Sequence, residues 1–102
     1  MPALLSLQTP FEAGQALADR ARLLRLGLAW TRETLADRAG VSSASIKRFE
    51  TTGEASLKLV LRVALALGRL EEFTQLFLPP EAASLAELKA RYDRPRRKRG
   101  RL

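Results

Sequence analysis

The sequence contains neither cysteine nor histidine. Losing both removes disulfides, thiolate nucleophiles, imidazole bases and nearly every zinc site. No Gly-rich phosphate loop is present, and no pair of carboxylates sits in an apolar setting that would raise a pKa. The chain is therefore expected to be no enzyme, with no catalytic residue, no metal and no cofactor. Long apolar runs are missing too. The best candidate, LKLVLRVALALG, is broken by Arg62 and falls short of the ~20 residues a membrane span needs. The opening MPALLSLQTP carries no Lys or Arg and makes a poor secretion signal. A cytoplasmic protein without membrane partners is the expectation.

Positive charge is abundant, with a formal net of +7 over 102 residues. Its distribution matters more than its sum. Residues 91–102 hold seven Lys/Arg against one Asp, whereas residues 1–90 hold eleven against ten Asp/Glu. The part able to fold is almost neutral, so a nucleic-acid function has to be argued from a motif and not from total charge. A chain of this length forms one small domain with a thin stability margin, which association with a second copy would widen.

Taken in order, residues 1–10 read as a flexible arm ending at Pro10. A first helix is expected over Glu12–Leu26, with Leu17, Ala21, Leu24 and Leu28 on one stripe and Arg20, Arg22 and Arg25 away from it. Thr31 caps a second helix, Arg32–Ala39, and Trp30 before the cap can staple onto Leu35. Thr34 stands where Glu or Gln would complete a capping box. Gly40 stops this helix in a left-handed conformation, and Ser42 immediately caps a third, Ser43–Glu50, with Val41 stapling onto Ile46. Ser56 caps a fourth helix, Leu57–Leu67, closed by Gly68, and a fifth spans Glu71–Phe77 before Pro79–Pro80. Ser84 caps a further short helix bearing Leu85, Leu88 and Tyr92. The organisation is thus arm 1–10, folded domain 11–78, linker and short helix 79–93, and basic tail 94–102.

The stretch TRETLADRAGVSSASIKRFE has a mechanical meaning. Leu35, Ala39, Val41, Ile46 and Phe49 lock two helices across a tight turn, Ala36 is small at their closest approach, and Gly40 makes the turn. The remaining positions of the third helix, Ser43, Ala44, Ser45, Lys47 and Arg48, are small or basic. Such a surface suits a major groove about 12 Å wide.

Here the sequence resembles the Cro/repressor-like (Xre-type) helix-turn-helix family, through LADRAGVSSASIKRFE and more loosely through SLKLVLRVALALG. The resemblance spans roughly Leu17 to Phe77. It implies an all-α, compact five-helix domain that binds double-stranded DNA. It also implies base reading by Ser43, Ala44, Lys47 and Arg48, and phosphate contact by Arg32, where the family more usually has Gln. Thr31, Ser45, Lys58 and Arg62 are further phosphate candidates. Arg48 can bond guanine O6 and N7 together, worth ~1–3 kcal/mol of discrimination, and Ala44 can offer only a methyl to thymine.

The fourth helix is apolar nearly all round, with Leu57, Val60, Leu61, Ala64 and Leu67 on one stripe and Leu59, Val63, Ala66 and Leu70 on another. A five-helix domain has too few neighbours to cover both. Leu59, Val63, Leu70, Phe73 and Phe77 are therefore the expected dimer or partner surface, and a homodimer would address a pseudo-palindromic operator; the alternative is a monomer whose segment 82–92 folds back over this surface. The run from VLRVALALG to the basic end is similar to the HipB-like antitoxins. That likeness implies a repressor of its own operon that also binds a HipA-like kinase toxin. A stand-alone or prophage regulator, or a protein-interaction adaptor that does not read sequence, are the alternatives. The terminal RPRRKRGRL is a phosphate-following arm, a partner-binding segment or a solubilising tail.

Overall fold

Four helices of this chain begin at a hydroxyl residue whose side chain accepts a backbone N–H two or three positions into the helix: Thr9, Thr31, Ser42 and Ser56. Each cap satisfies a donor that the helical ladder leaves orphaned. The elements that follow them are α1 (Pro10–Gly27), α2 (Arg32–Ala39), α3 (Ser43–Thr52) and α4 (Leu57–Ala66), with a short α5 (Leu70–Thr74) after them. The computed structural model describes residues 8–80, 86 and 88–92, and among these there is no strand. Residues 86 and 88–92 are helical, as expected of the short C-terminal helix. Most of the N-terminal arm, the Ser84 cap, Leu85 and the basic tail lie outside the described residues. Over the described residues the protein is all-α.

α1 starts earlier than the expected Glu12. Thr9 and Glu12 form a reciprocal capping box, Glu12 N–H donating to Thr9 Oγ1 (3.1 Å) and Thr9 N–H to Glu12 Oε1 (3.0 Å). Pro10 occupies the first helical position, where its missing N–H costs nothing. The arm is correspondingly shorter. At the other end Leu28 is about half exposed instead of buried, and Ala29 turns the chain through a left-handed φ of 61°.

The core has two parts. Leu35, Ala36 and Ala39 of α2 meet Ile46 of α3 and Val63 of α4, with Trp30 and Val41 packed against them as the two staples require. Ala18 and Ala21 of α1 meet Phe49 of α3, flanked by Leu17 and Val60. Leu59 and Leu67 of α4 touch both parts and join them. Leu35 and Ile46 are the most completely buried large side chains, each contributing roughly 1.5–3 kcal/mol by leaving water. Where α1 crosses the end of α3 the backbones touch. A Cβ on Gly53 would lie 3.0 Å from the Gln15 nitrogen, and Gly53 also ends α3 at φ 78°. Only glycine meets both demands.

The two stripes of α4 are divided differently from the sequence expectation. Val63 is 3% exposed and belongs to the core, so it is not a free partner surface. Leu57 and Leu65 instead face outward, at 68% and 64% exposure. The helix turns Leu59, Val60, Val63 and Leu67 toward α1, α2 and α3, because this i, i+1, i+4, i+8 set reaches both core clusters at once. α5 is shorter than the expected Glu71–Phe77. Arg69 supplies no side-chain cap, five residues barely nucleate a helix, and Leu78 before Pro79 is steered away from helical backbone.

Candidate nucleic-acid interface

The pair α2 and α3 is joined by Gly40, Val41 and Ser42. Gly40 takes φ 72°, ψ 36°, and Val41 N–H returns to the Ala36 carbonyl (3.0 Å) to close the first helix. Ser42 then accepts Ser45 N–H (3.1 Å) to open the second. A turn this short forces a steep crossing. α3 consequently packs one face inward, through Ile46, Phe49 and Glu50, and presents the other to solvent.

On that outer face the structure gathers Ser43, Ala44, Lys47 and Arg48, all exposed. Their i, i+1, i+4, i+5 spacing makes them one ridge. Ser45 is half-buried beside them, its hydroxyl accepting from Ser42 (2.8 Å). Arg48 is not idle: its Nη2 donates to Glu54 Oε1 at 2.9 Å, with both side chains well exposed. Thr31 is exposed, yet its hydroxyl is committed to Thr34, accepting the backbone N–H (3.0 Å) and donating to Oγ1 (3.1 Å). Lys58 and Arg62 are exposed on α4. The Arg62 guanidinium reaches the α2–α3 turn, where a Cβ on Gly40 would come within 3.1 Å of Nη1.

Arg32 stands differently from the expectation of a free phosphate contact. Its Nε donates to Glu50 Oε1 at 2.9 Å, and its side chain is one-third exposed. Glu50 is 1% exposed at the side chain and is shared with Arg25, which donates from Nε to Oε2 (2.7 Å) and from Nη2 to Oε1 (2.9 Å). Arg25 also donates from Nη1 to the Trp30 carbonyl (2.8 Å). Arg25 is thus buried and not on an outer face. Burial alone would raise the Glu50 pKa, but hydrogen bonds from Arg25 and Arg32, and then their charges, outweigh it and hold the carboxyl below its ordinary 4.5. One carboxylate fastens α1, the start of α2 and α3 together, fixing the tilt of the exposed ridge.

From the sequence Arg32 is singled out for another role, and Arg25 is not paired with Glu50, although a signal for that pair exists. Ile46, Phe49 and Glu50 fall at i, i+3, i+4, and Ala18, Ala21 and Arg25 at i, i+3, i+7, so each charge continues a buried stripe. Opposite charges ending two apolar stripes are a cue for a buried pair. Arg38, stacked 4.6 Å over the Trp30 ring, has no such cue. Of the expected partner surface, Leu59, Leu70 and Phe73 are half-buried and Phe77 is fully exposed. Among the described residues there is no cluster able to hold a metal and no helix long and apolar enough to cross a membrane. Compared with protein families, curated proteins and solved structures, the chain has no match.

Proposed function

We propose that the chain is a sequence-specific DNA-binding transcriptional repressor of the Cro/repressor-like helix-turn-helix kind, with α3 as the helix that enters the major groove. The observation that carries this is the outer ridge of α3. Ser43, Ala44, Lys47 and Arg48 share one exposed face, while the opposite face is anchored by Ile46, Phe49 and the buried Glu50. A rod that is narrow, cationic and hydroxyl-bearing on one side and rigidly held on the other meets the needs of base-edge recognition. Arg48 reads guanine, Ala44 meets a thymine methyl, Ser43 donates or accepts, and Lys47 reaches base or phosphate. Lys58 and Arg62 grip phosphate from α4. Arg32 contributes through the outer edge of a guanidinium whose Nε is already held by Glu50.

One strong reader per subunit gives modest discrimination, so the proposal includes a twofold dimer whose α3 helices address grooves ~34 Å apart on a pseudo-palindromic operator. The likeness of the C-terminal half to HipB-like antitoxins extends it to a repressor of its own operon that binds a HipA-like kinase toxin. Co-purification with a kinase-like product of the neighbouring reading frame tests that extension. DNA reading itself is tested by selecting bound sequences from a random pool. A palindrome is expected to emerge, and Arg48→Ala is expected to relax one position of it by ~1–3 kcal/mol. A pool that stays random after selection refutes sequence reading and leaves the adaptor alternative.

A further inference from the structure

Two features at the α5 end of the molecule answer each other. The first is an apolar groove of about 140 Å³ between α1, α4 and α5, walled by Leu17, Ala21, Leu24, Val60, Ala64 and Leu67. Arg20 and the mutually paired Arg69 and Glu72 add the charged part of its lining. The second is Phe77. Its side chain is completely exposed, and its backbone sits at φ 63°, a left-handed conformation unfavourable to any residue with a Cβ. Leu76 and Leu78 on either side are more than half exposed. Among the described residues this phenyl ring, held out on a strained backbone, packs against nothing.

We infer that Phe77 of one copy inserts into the α1–α4–α5 groove of a second copy, reciprocally, so that each subunit supplies one knob and one hole. The inference rests on the twofold assembly in the proposed function and names the contact that makes it. Size supports the fit, because a dry cavity of ~150 Å³ accepts a benzene ring. Charge supports it as well. α5 carries Glu71 in its first turn, the groove lining includes Arg20, and neither has an ion-pair partner among the described residues. Area is adequate. An aromatic ring buries roughly 150–250 Å², and two insertions with their walls and the flanking Leu76 and Leu78 approach the ~1,200 Å² at which stable interfaces begin. The groove is offered to a second copy and not to a free ligand because the knob belongs to the same surface.

Sedimentation of the full chain without DNA tests this. The wild type is expected to be a dimer at micromolar concentration. Phe77→Ala is expected to weaken it about 1,000-fold, since both anchors are lost and each is worth about 30-fold. Phe77→Gly makes the sharper test: the dimer weakens as much, while the dilute monomer melts at a higher temperature because the left-handed strain is relieved. Arg20→Glu or Glu71→Arg alone is expected to weaken the dimer, and the two together to restore it. The chain has no native cysteine. Mixing Leu78→Cys with Arg20→Cys chains should therefore give a cross-linked heterodimer under mild oxidation. A wild type that sediments as a monomer at tens of micromolar, an unchanged Phe77→Ala dimer, or a dimer that fails to cross-link at these positions overturns the inference. A monomeric wild type would also remove the twofold operator from the proposed function, whereas an unchanged Phe77→Ala dimer overturns this contact alone; base reading is measured separately on Arg48→Ala, at a position outside the proposed contact.

Discussion

Glu50 and Glu54 lie four residues apart at the end of α3, and each holds an arginine at hydrogen-bond distance. Arg25 is 2.7 Å from the first and Arg48 is 2.9 Å from the second. By length the two pairs are alike. Their surroundings are opposite: the Glu50 side chain is 1% exposed and that of Glu54 is 61% exposed. A pair in water gains little, because solvent and salt screen it and two long side chains lose freedom to make it. A buried pair has lost its hydration, so each charge depends on the other. The comparison separates a structural strut within α3 from an adjustable surface contact just beyond its Gly53 cap.

The largest expected effect is at the strut. Glu50→Ala leaves the Arg25 guanidinium buried with only the Trp30 carbonyl as partner, and is expected to cost ~3–5 kcal/mol in urea denaturation. For a domain with a total of ~5–15 kcal/mol, that approaches unfolding. A loss below ~1 kcal/mol would mean that water reaches Arg25 and that the site is not dry.

Acid acts on the same carboxyl. The folded pKa of Glu50 lies below 4.5, so the folded protein binds fewer protons than the unfolded chain wherever the two differ. Its contribution is complete above pH 4.5 and is lost as pH falls through the depressed folded value. Stability followed by melting temperature against pH should therefore drop on the acid side. In Glu50→Gln, starting from a lower plateau, that drop should be shallower. Parallel curves for the two proteins would remove Glu50 from the acid limb.

Arg32 lies between the two extremes, one-third exposed and second in line to a carboxylate that Arg25 already holds by two bonds. Arg32→Ala is expected to cost about 1 kcal/mol of stability, as for one hydrogen bond to a charged group with water able to replace it. Under the proposed function it also lowers the slope of log K against log salt by about one, the signature of one lost phosphate contact. An unchanged slope would confine Arg32 to holding Glu50.

What the sequence made legible follows the same division between local and long-range physics. The caps at Thr31, Ser42 and Ser56, the left-handed Gly40 and the staples Trp30 and Val41 depend on neighbours within a few residues, and all are found where the sequence placed them. The Thr9–Glu12 box is equally local, but a proline reads as readily as the end of an arm as it does as the first residue of a helix, and Pro10 is the latter. The Arg25–Glu50 pair joins positions 25 residues apart, and only the continuation of two apolar stripes hinted at it. The partition of α4 was the least readable. When a helix is apolar all round, periodicity cannot say which side its neighbours occupy, and the positions of α1, α2 and α3 decided that Val63 went in and Leu65 stayed out. On α3 the mixture of polar and apolar residues is sharper: Ser43, Ala44, Lys47 and Arg48 are exposed as expected, and only Ser45 is half-buried.

The smallest stability effect and the most informative one come from the same substitution. Glu54→Gln removes the charge of an exposed pair and should change stability by less than about 0.5 kcal/mol. Under the proposed function its effect on DNA should be larger. Glu54 occupies Arg48 Nη2, one of the donors a guanine would need, and it places a negative charge beside the face that would approach phosphates. Binding then has to exchange a carboxylate for a base edge, and only a sequence offering a good acceptor pair repays the exchange. Releasing Arg48 should tighten binding to both operator and random DNA, and tighten the random DNA more, so that the ratio between them falls. Paired titrations at fixed salt measure that ratio. If it rises instead, Glu54 serves to aim Arg48 at its base, and the exposed pair is a positioning contact rather than a competitor.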